Sequence, residues 1–453
     1  MTSLCDHALI HKYDVPAPRY TSYPTALQFT PDADKSRLAE EVAAWDGPLS
    51  LYFHLPFCQQ QCWFCACSNI VATDRNLADP YIDALEKEMD LYLPRLKKGR
   101  LVEQLHFGGG SPDFFRPEQL KRLCAAIRSR FSFAPDAELS VELEPRVLTE
   151  AHLNVLAEAG FTRASVGVQD CDPAVQKAIH RVQPDELNER AFKWLRARGF
   201  HSINVDLLYG LPLQTPENYA RTLAHVAALS PDRVAVFNYA HVPWMKPAQK
   251  NLLLAGPIPS ADEKIALFLL AIEKLTKAGY DFIGLDHFAK PADELALALK
   301  NGTLQRNFQG YSTRAGAEML AFGVTSISQS LRSYRQNFHA IDKWYEAVNA
   351  GRFPLERGVF LSDEDVLRRA VIMRVMCDVS LDFAEVTKLT GVDFKKHFAS
   401  ELAGMDDLEA DGLVRRHSDS LEIAPAGRVL IRSVAVRFDQ YFKPSEKRHS
   451  KAV

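Results

Sequence analysis

Four of the chain's eight cysteines fall within ten residues, in Cys58-Gln-Gln-Gln-Cys62-Trp-Phe-Cys65-Ala-Cys67. No other feature constrains the fold as much. The preceding Leu51-Tyr-Phe-His-Leu-Pro56 reads as a strand running into a loop, so the fold must gather thiols at a strand end. Packing alone would not call for four of them, since one or two small buried side chains fill any such gap. Disulfides fit poorly with a start that lacks a secretory pattern, because cytosolic thiols stay reduced. Structural zinc usually takes two Cys-x2-Cys-like pairs separated by a longer excursion. Zinc and idle thiols remain alternatives. An iron–sulfur cluster is the leading expectation, since thiolates are its usual ligands and a short loop can wrap one face of a cube. The Cys-x3-Cys-x2-Cys spacing would hold three irons and leave a fourth open to a small molecule.

What surrounds this loop decides whether it belongs to an enzyme. From about residue 49 to 354 the chain alternates short apolar runs with helical patterns. Strands are expected at Ser50–Leu55, Val102–Phe107, Leu139–Leu143, Ala164–Val168, Ile203–Leu208 and Val234–Asn238. Helical stretches lie between them, at Tyr81–Leu93 (stopped by Pro94), Pro117–Phe131, Glu150–Ala159, Glu186–Arg198 and Glu217–Leu229. Repeated βα units with strands apolar on both faces predict an α/β fold with a parallel sheet covered by helices. About six units point to a partial or full TIM-like (β/α) barrel, with a doubly wound open sheet as the alternative. Either way, ligands sit at the strands' C-terminal ends. Successive strands are followed by the cysteine loop, Gly108-Gly-Gly-Ser-Pro112, Glu142-Leu-Glu144, Gln169-Asp170, Asp206-Leu-Leu-Tyr-Gly-Leu-Pro212 and Asn238-Tyr-Ala-His241. One such loop would mean little, but six in succession argue for an active site on one face.

Two further regions flank the barrel. Residues 1–48 form an arm whose Pro16-Ala-Pro-Arg-Tyr-Thr-Ser-Tyr-Pro24 is expected to be extended, acting either as a lid or as a structural strap. Residues 355–453 read as a small domain, helical with a hairpin. Helices are expected at Asp363–Cys377, Asp382–Leu389 and Phe394–Leu408, two short strands within Gly412–Ala424, and a last helix at Pro425–Phe442. That order resembles a winged helix. There is no basic surplus outside Lys447-Arg448, so a packing or lid role is expected rather than DNA binding. The Lys447-to-Val453 tail is expected to be disordered. A net charge of −3 gives no reason to expect nucleic-acid or bulk membrane attraction. No run of about 18 apolar residues appears, so no membrane span and a cytoplasmic location are expected. Cys5, Cys124, Cys171 and Cys377 are scattered and are expected to be buried or idle thiols.

An open iron on the first loop of such a barrel resembles the radical S-adenosylmethionine enzymes. Phe64 just before the third cysteine fits that pattern. Gly108-Gly-Gly110 fits too, since glycines let backbone approach a ligand closely. Over nearly its whole length the chain also resembles the oxygen-independent coproporphyrinogen III oxidase (coproporphyrinogen dehydrogenase) family. The matching segments include Pro18-Arg-Tyr-Thr-Ser-Tyr-Pro24, the loop with its extra Cys67, Gly167-Val-Gln-Asp170, Asn204-Val-Asp206, Phe237-Asn-Tyr-Ala-His241, Asp286-His-Phe-Ala289 and Arg306-Asn-Phe-Gln-Gly-Tyr311.

The resemblance implies a 4Fe–4S cluster on Cys58, Cys62 and Cys65, with Cys67 a family marker that does not ligate. It implies two S-adenosylmethionines per product. Tyr52, Gly109, Glu142 and Ile327 match contacts of the cluster-bound one; Phe64, Gly110, Ser111, Gln169, Arg181, Asp206 and Ala240 match those of the second. The implied activity belongs to heme (porphyrin) biosynthesis. A 5′-deoxyadenosyl radical takes hydrogen from a propionate β-carbon of coproporphyrinogen III, and two propionates become vinyls, giving protoporphyrinogen IX. A low-potential flavodoxin- or ferredoxin-like electron donor and a monomeric state are expected, with neither nucleic acid nor membrane as partner. His54, on the strand into the loop, is a candidate catalytic residue. Arg19 is another, as a cation for one of the substrate's carboxylates. The chain departs from the family pattern at Ala66 (usually Gly), Ser68 (Asn), Ser111 (Thr) and Glu144 (Asp). Other readings are a radical paralogue acting on another tetrapyrrole by methyl transfer or ring opening, and a heme-binding carrier.

Overall fold

The computed structural model describes residues 5–314 and 316–443; the tail expected to be disordered lies outside them. Six strands run parallel in chain order: β1 (Leu49–Leu55), β2 (Leu101–Gly109), β3 (Ser132–Leu143), β4 (Arg163–Gln169), β5 (Ser202–Tyr209) and β6 (Arg233–Asn238). The sheet continues beyond β6 with β7 (Asp281–Gly284) and β8 (His287–Ala289). Beyond β1 it continues with β9 (Glu318–Phe322), β10 (Ile327–Gln329), β11 (Ser333–Asn337) and β12 (Leu355–Phe360). The spatial order is β12-β11-β10-β9-β1-β2-β3-β4-β5-β6-β8-β7. No reversal of order occurs among the six, so the sheet is not doubly wound. Among the described residues its two ends, β12 and β7, are not paired with each other, so the barrel is partial.

Helices α1 (Ala78–Tyr92), α2 (Pro117–Arg128), α3 (Glu150–Glu158), α4 (Asp185–Ala197) and α5 (Pro216–Leu229) each join successive strands. On α1 the buried Tyr81, Leu85, Met89 and Tyr92 recur at helical spacing and form the face laid against the sheet. The chain leaves α1 through a tight turn containing Pro94, which cannot continue the hydrogen-bond ladder.

The strands are not apolar on both sides, as their composition had suggested. Alternate residues of β1 to β6 face a lumen, and most of them are polar: Tyr52 and His54, Gln104 and His106, Ser140 and Glu142, Ser165 and Gln169, Asn204 and Asp206. The residues between them, such as Leu51, Phe53, Val141, Val166 and Val205, face the helices and are fully or nearly fully buried. A lumen lined this way is an open cavity rather than a packed core.

The amino-terminal arm is strapped across the molecule. Tyr20 and Tyr23 are buried; Tyr20 Oη donates to Asp439 at 2.9 Å, and Phe29 stacks on Tyr334 at 5.6 Å. The Arg432 guanidinium donates to the carbonyls of Ala17 and Pro18. Past β12 comes a helix, Asp363–Cys377, and then a three-stranded sheet of Ser380–Asp382, Ser420–Ile423 and Val414–Arg416 in that spatial order. The expected hairpin is the last two of these. The expected closing helix is broken into Pro425–Val429, Ile431–Ala435 and a final turn.

Candidate active site

A cavity of about 730 Å³ occupies the lumen and opens at the C-terminal ends of β1 to β6. Every residue expected to bind the cluster or cofactor or to act in catalysis lines it except Arg19: Cys58, Cys62 and Cys65; Tyr52, His54 and Phe64; Gly109, Gly110 and Ser111; Glu142, Gln169 and Arg181; Asp206, Ala240 and Ile327. Cys67 lines it as well. These residues come from both ends of the barrel sequence and from β10, which is joined to the barrel through β9, since β10 pairs with β9 and β9 pairs with β1 in parallel.

The cysteine loop is held from several sides. Phe57–Cys58 pairs with Ile70–Val71, which closes the loop at its base. Trp63 stacks on His180 at 4.9 Å. Gln249 Nε2 donates to the carbonyl of Phe64 at 3.1 Å and to that of Ala240 at 3.2 Å, and Lys246 Nζ donates to the carbonyl of Cys67 at 2.7 Å. Two guanidiniums reach Cys62 Sγ, Arg146 at 3.3 Å and Arg181 at 3.5 Å. Hydrogen bonding from the Cys67 thiol brings Cys65 down to about 7, whereas burial pushes the Cys58 thiol up to about 12. Among the described residues, the group of His, Cys, Asp and Glu ligand atoms lying within 4.8 Å of one another is elsewhere in the protein. The loop's thiols are therefore spread wider than the ligands of a single ion. Three thiols of one loop, spread apart and facing a common cavity, fit the corners of a larger cluster.

His54 is fully engaged. Its Nε2 contacts the carbonyl of Ser68 at 2.8 Å, which places the proton there, and its Nδ1 faces Tyr52 Oη at 3.1 Å. Burial lowers its pKa, so the ring is a neutral brace between β1 and the loop. The Ser68 contact uses the backbone, so the departure from the family's Asn at 68 leaves this brace intact.

The glycines at the end of β2 are required by their protein neighbours as much as by a ligand. Gly109 has φ +112°, and a Cβ there would lie 2.5 Å from His54 Cε1. A Cβ on Gly110 would lie 2.6 Å from the backbone of Pro56. The Gly109 N–H donates to Glu142 at 3.0 Å. A Gly109→Ala variant is expected to lose about 1–3 kcal/mol of stability from strain and the clash with His54. Urea unfolding would measure the loss.

The carboxylates are individually anchored. Burial opposes the charge on Glu142, but hydrogen bonds from His106 and the Gly109 amide hold its pKa below the usual range. Glu144 accepts from Ser111 Oγ at 2.8 Å and is bonded to Arg146, and Arg181 lies 3.8 Å away. Glu144 thus offsets one of the two positive charges that reach Cys62. Asp206 accepts from Ser165 Oγ at 2.9 Å and Asn204 Nδ2 at 2.8 Å, and burial pushes it up to about 6. Gln169 adopts φ +69°, a turn that ends β4 at the cavity rim.

Arg19 is placed one layer behind the wall. Its guanidinium is bonded to the buried Asp286 and lies 5.6 Å from the ring centre of Phe237. Asp286 Oδ1 is 2.7 Å from Nδ1 of the cavity-lining His287. Sequence reasoning missed the floor of the cavity, where Arg163 and Arg233 begin β4 and β6. Arg163 is paired with Glu138 and Glu294, and Arg233 with Asp293. The two-residue alternation with Ser165 and Ala235 was the available signal.

Comparison with known proteins agrees with this geometry. The model of the Radical SAM superfamily matches residues 52–226, and that of the HemN C-terminal domain matches residues 361–430. An oxygen-independent coproporphyrinogen III oxidase from Synechocystis is 42% identical over 446 residues, covering 97% of this chain and 96% of the relative. The protein of that name from Escherichia coli K12 is 43% identical over 439 residues, covering 97% and 96%. The solved structure of coproporphyrinogen III oxidase (HemN) from Escherichia coli, described as a radical SAM enzyme, superposes with a TM-score of 0.92. It is 41% identical and covers 97% of this chain and 99% of that one.

Proposed function

Because this chain belongs to the oxygen-independent coproporphyrinogen III oxidase family, we propose that it converts coproporphyrinogen III to protoporphyrinogen IX in heme biosynthesis. Each of two propionates loses carbon dioxide, gives one hydrogen atom to a 5′-deoxyadenosyl group and one electron to a one-electron acceptor, and becomes a vinyl group. The observation that carries this reading is the single cavity faced by the cysteine loop, Gly109, Glu142 and Asp206. A 4Fe–4S cluster and S-adenosylmethionine, the equipment of the radical family, supply an electron and the 5′-deoxyadenosyl group that accepts the hydrogen.

The chain's own residues set the stage for that chemistry. Cys58, Cys62 and Cys65 are the cluster ligands, and Arg146 and Arg181 hold the Cys62 sulfur with cationic donors. Tyr52, Gly109, Glu142 and Ile327 hold one S-adenosylmethionine. Phe64, Gly110, Ser111, Gln169, Arg181, Asp206 and Ala240 hold a second. His54 acts as a positioning residue through Ser68. Arg19 does so through Asp286, which orients His287 at the wall. The arm and the carboxy-terminal unit keep water from the reaction. A low-potential flavodoxin- or ferredoxin-like donor, a monomeric state and a cytoplasmic location complete the proposal. Among the described residues no helix is long and apolar enough to cross a membrane.

Anaerobic incubation with coproporphyrinogen III, S-adenosylmethionine and reductant is expected to yield protoporphyrinogen IX, with about two 5′-deoxyadenosines per product. A sample with intact cluster that makes neither would overturn the assignment. Asp206 adds a pH signature. Its carboxylate accepts ribose hydroxyls, so a bound ligand favours the ionised form over a free site that titrates near 6. Affinity for S-adenosylmethionine should therefore fall by up to about tenfold per pH unit below 6. An Asp206→Asn variant should bind weakly and lack that step, which isothermal titration at pH 5 to 8 would show.

A further inference from the structure

Outside the lumen, three side chains of different chemistry converge between the helical layer and the end of β4. Cys171 follows Gln169-Asp170, Asp185 is the first residue of α4, and His225 lies on α5. One ligand atom from each lies within 4.8 Å of the other two. We infer that Cys171, Asp185 and His225 form a second metal site, for a divalent cation of the zinc class, distinct from the cluster loop.

The His225–Asp185 distance fits a shared ion. His225 Nδ1 and Asp185 Oδ2 are 3.6 Å apart. That is long for a hydrogen bond. It is close to the edge of a tetrahedron with bonds of roughly 2.0–2.3 Å, which is about 3.4 Å. Among the described residues, the other polar atom of each group, Asp185 Oδ1 and His225 Nε2, is buried without a hydrogen-bond partner, so both side chains carry unmet polar capacity beside Cys171. The donor set is also balanced in charge. A thiolate and a carboxylate neutralise a 2+ ion, a neutral imidazole adds nitrogen, and the fourth position is left to water. Asp185 is 44% exposed, which provides an entry path.

The surroundings suit a fixed site. The Cys171 amide donates to Thr222 Oγ1 at 3.1 Å, and Thr222 in turn donates to the buried Asp170 at 3.0 Å. Thr222 stands three residues before His225 on the same face of α5. A bound ion would therefore pin the segment carrying Gln169 and Asp170 to both α4 and α5. Binding converts Cys–SH and M²⁺ into Cys–S–M and one released proton.

The test uses the cluster-containing enzyme, so that the loop thiols are already taken, treated with chelator and then given zinc alone. About one zinc per chain is expected, with about one proton released per ion in weak buffer. Crystals measured on either side of the zinc absorption edge should place the ion among the three side chains. Cys171→Ser and His225→Ala should each lower zinc content by about tenfold or more while iron content stays unchanged. Zinc found only at the cluster loop, zinc retained in full by both variants, or no zinc in the parent would overturn the site. Should a variant fail to fold, the anomalous peak in the parent decides the question.

Discussion

In a Cys62→Ser variant, formation of both protoporphyrinogen and 5′-deoxyadenosine should fall to background, and iron should drop from about four per chain to below about one. Cys62 is the thiol to which the protein commits most: two guanidiniums, from Arg146 and Arg181, converge on its sulfur. Serine offers a poor iron ligand and leaves those cations facing a hydroxyl. The matched control is Cys67→Ser. Cys67 lies two residues beyond the last proposed ligand and lines the same cavity. Iron content in this control should remain near the parent's, with turnover reduced by less than about tenfold. Iron loss in Cys67→Ser with retention in Cys62→Ser would reverse the ligand assignment.

The largest effect on stability is expected at the far end of the barrel. Glu318, at the start of β9, lies 3.0 Å from Arg100 and 3.6 Å from Arg335, and all three side chains are at most 2% exposed. Among the described residues, the Arg335 guanidinium has no hydrogen-bond partner; Glu318 and the face of Tyr92, 5.7 Å away, are its compensation. Glu318→Ala strands two buried cations and should cost about 3–5 kcal/mol. The midpoint of urea unfolding would report the loss. Replacing all three together, as Arg100→Met, Glu318→Leu and Arg335→Met, should leave stability within about 2 kcal/mol of the parent, because no charge then remains unpaired. A triple variant as unstable as Glu318→Ala would mean that packing, not charge, governs this site.

Much of the catalytic face was legible because its signals are local. The cysteine spacing, the glycines at the end of β2 and the carboxylates of β3 and β5 each occupy a few consecutive residues. The (β/α) alternation also placed them on one rim. Arg19 was harder. Its position in a Pro-rich arm says nothing about which residue it meets, and Asp286 is 267 positions away. The lumen's polarity was hidden for a different reason. In strands such as Ser202–Tyr209, apolar residues between the polar ones dominate the average, and only the two-residue alternation separates Asn204 and Asp206 from Val205 and Leu207. The broken closing helix is a further case, since helical propensity continues through Leu430 while the backbone there turns away.

By itself the sequence determined the class of chemistry and the six parallel units that carry it, because residue spacing within a strand, helix or loop sets which side chains share a face. Only the tertiary structure decided that the sheet stays open and takes β9 to β12 beside β1. It also decided that Glu318 is caught between two arginines, and that Cys171, Asp185 and His225 meet. Those outcomes depend on which distant segments pair, and that is settled by the burial and hydrogen bonding of the whole chain, which no local pattern records.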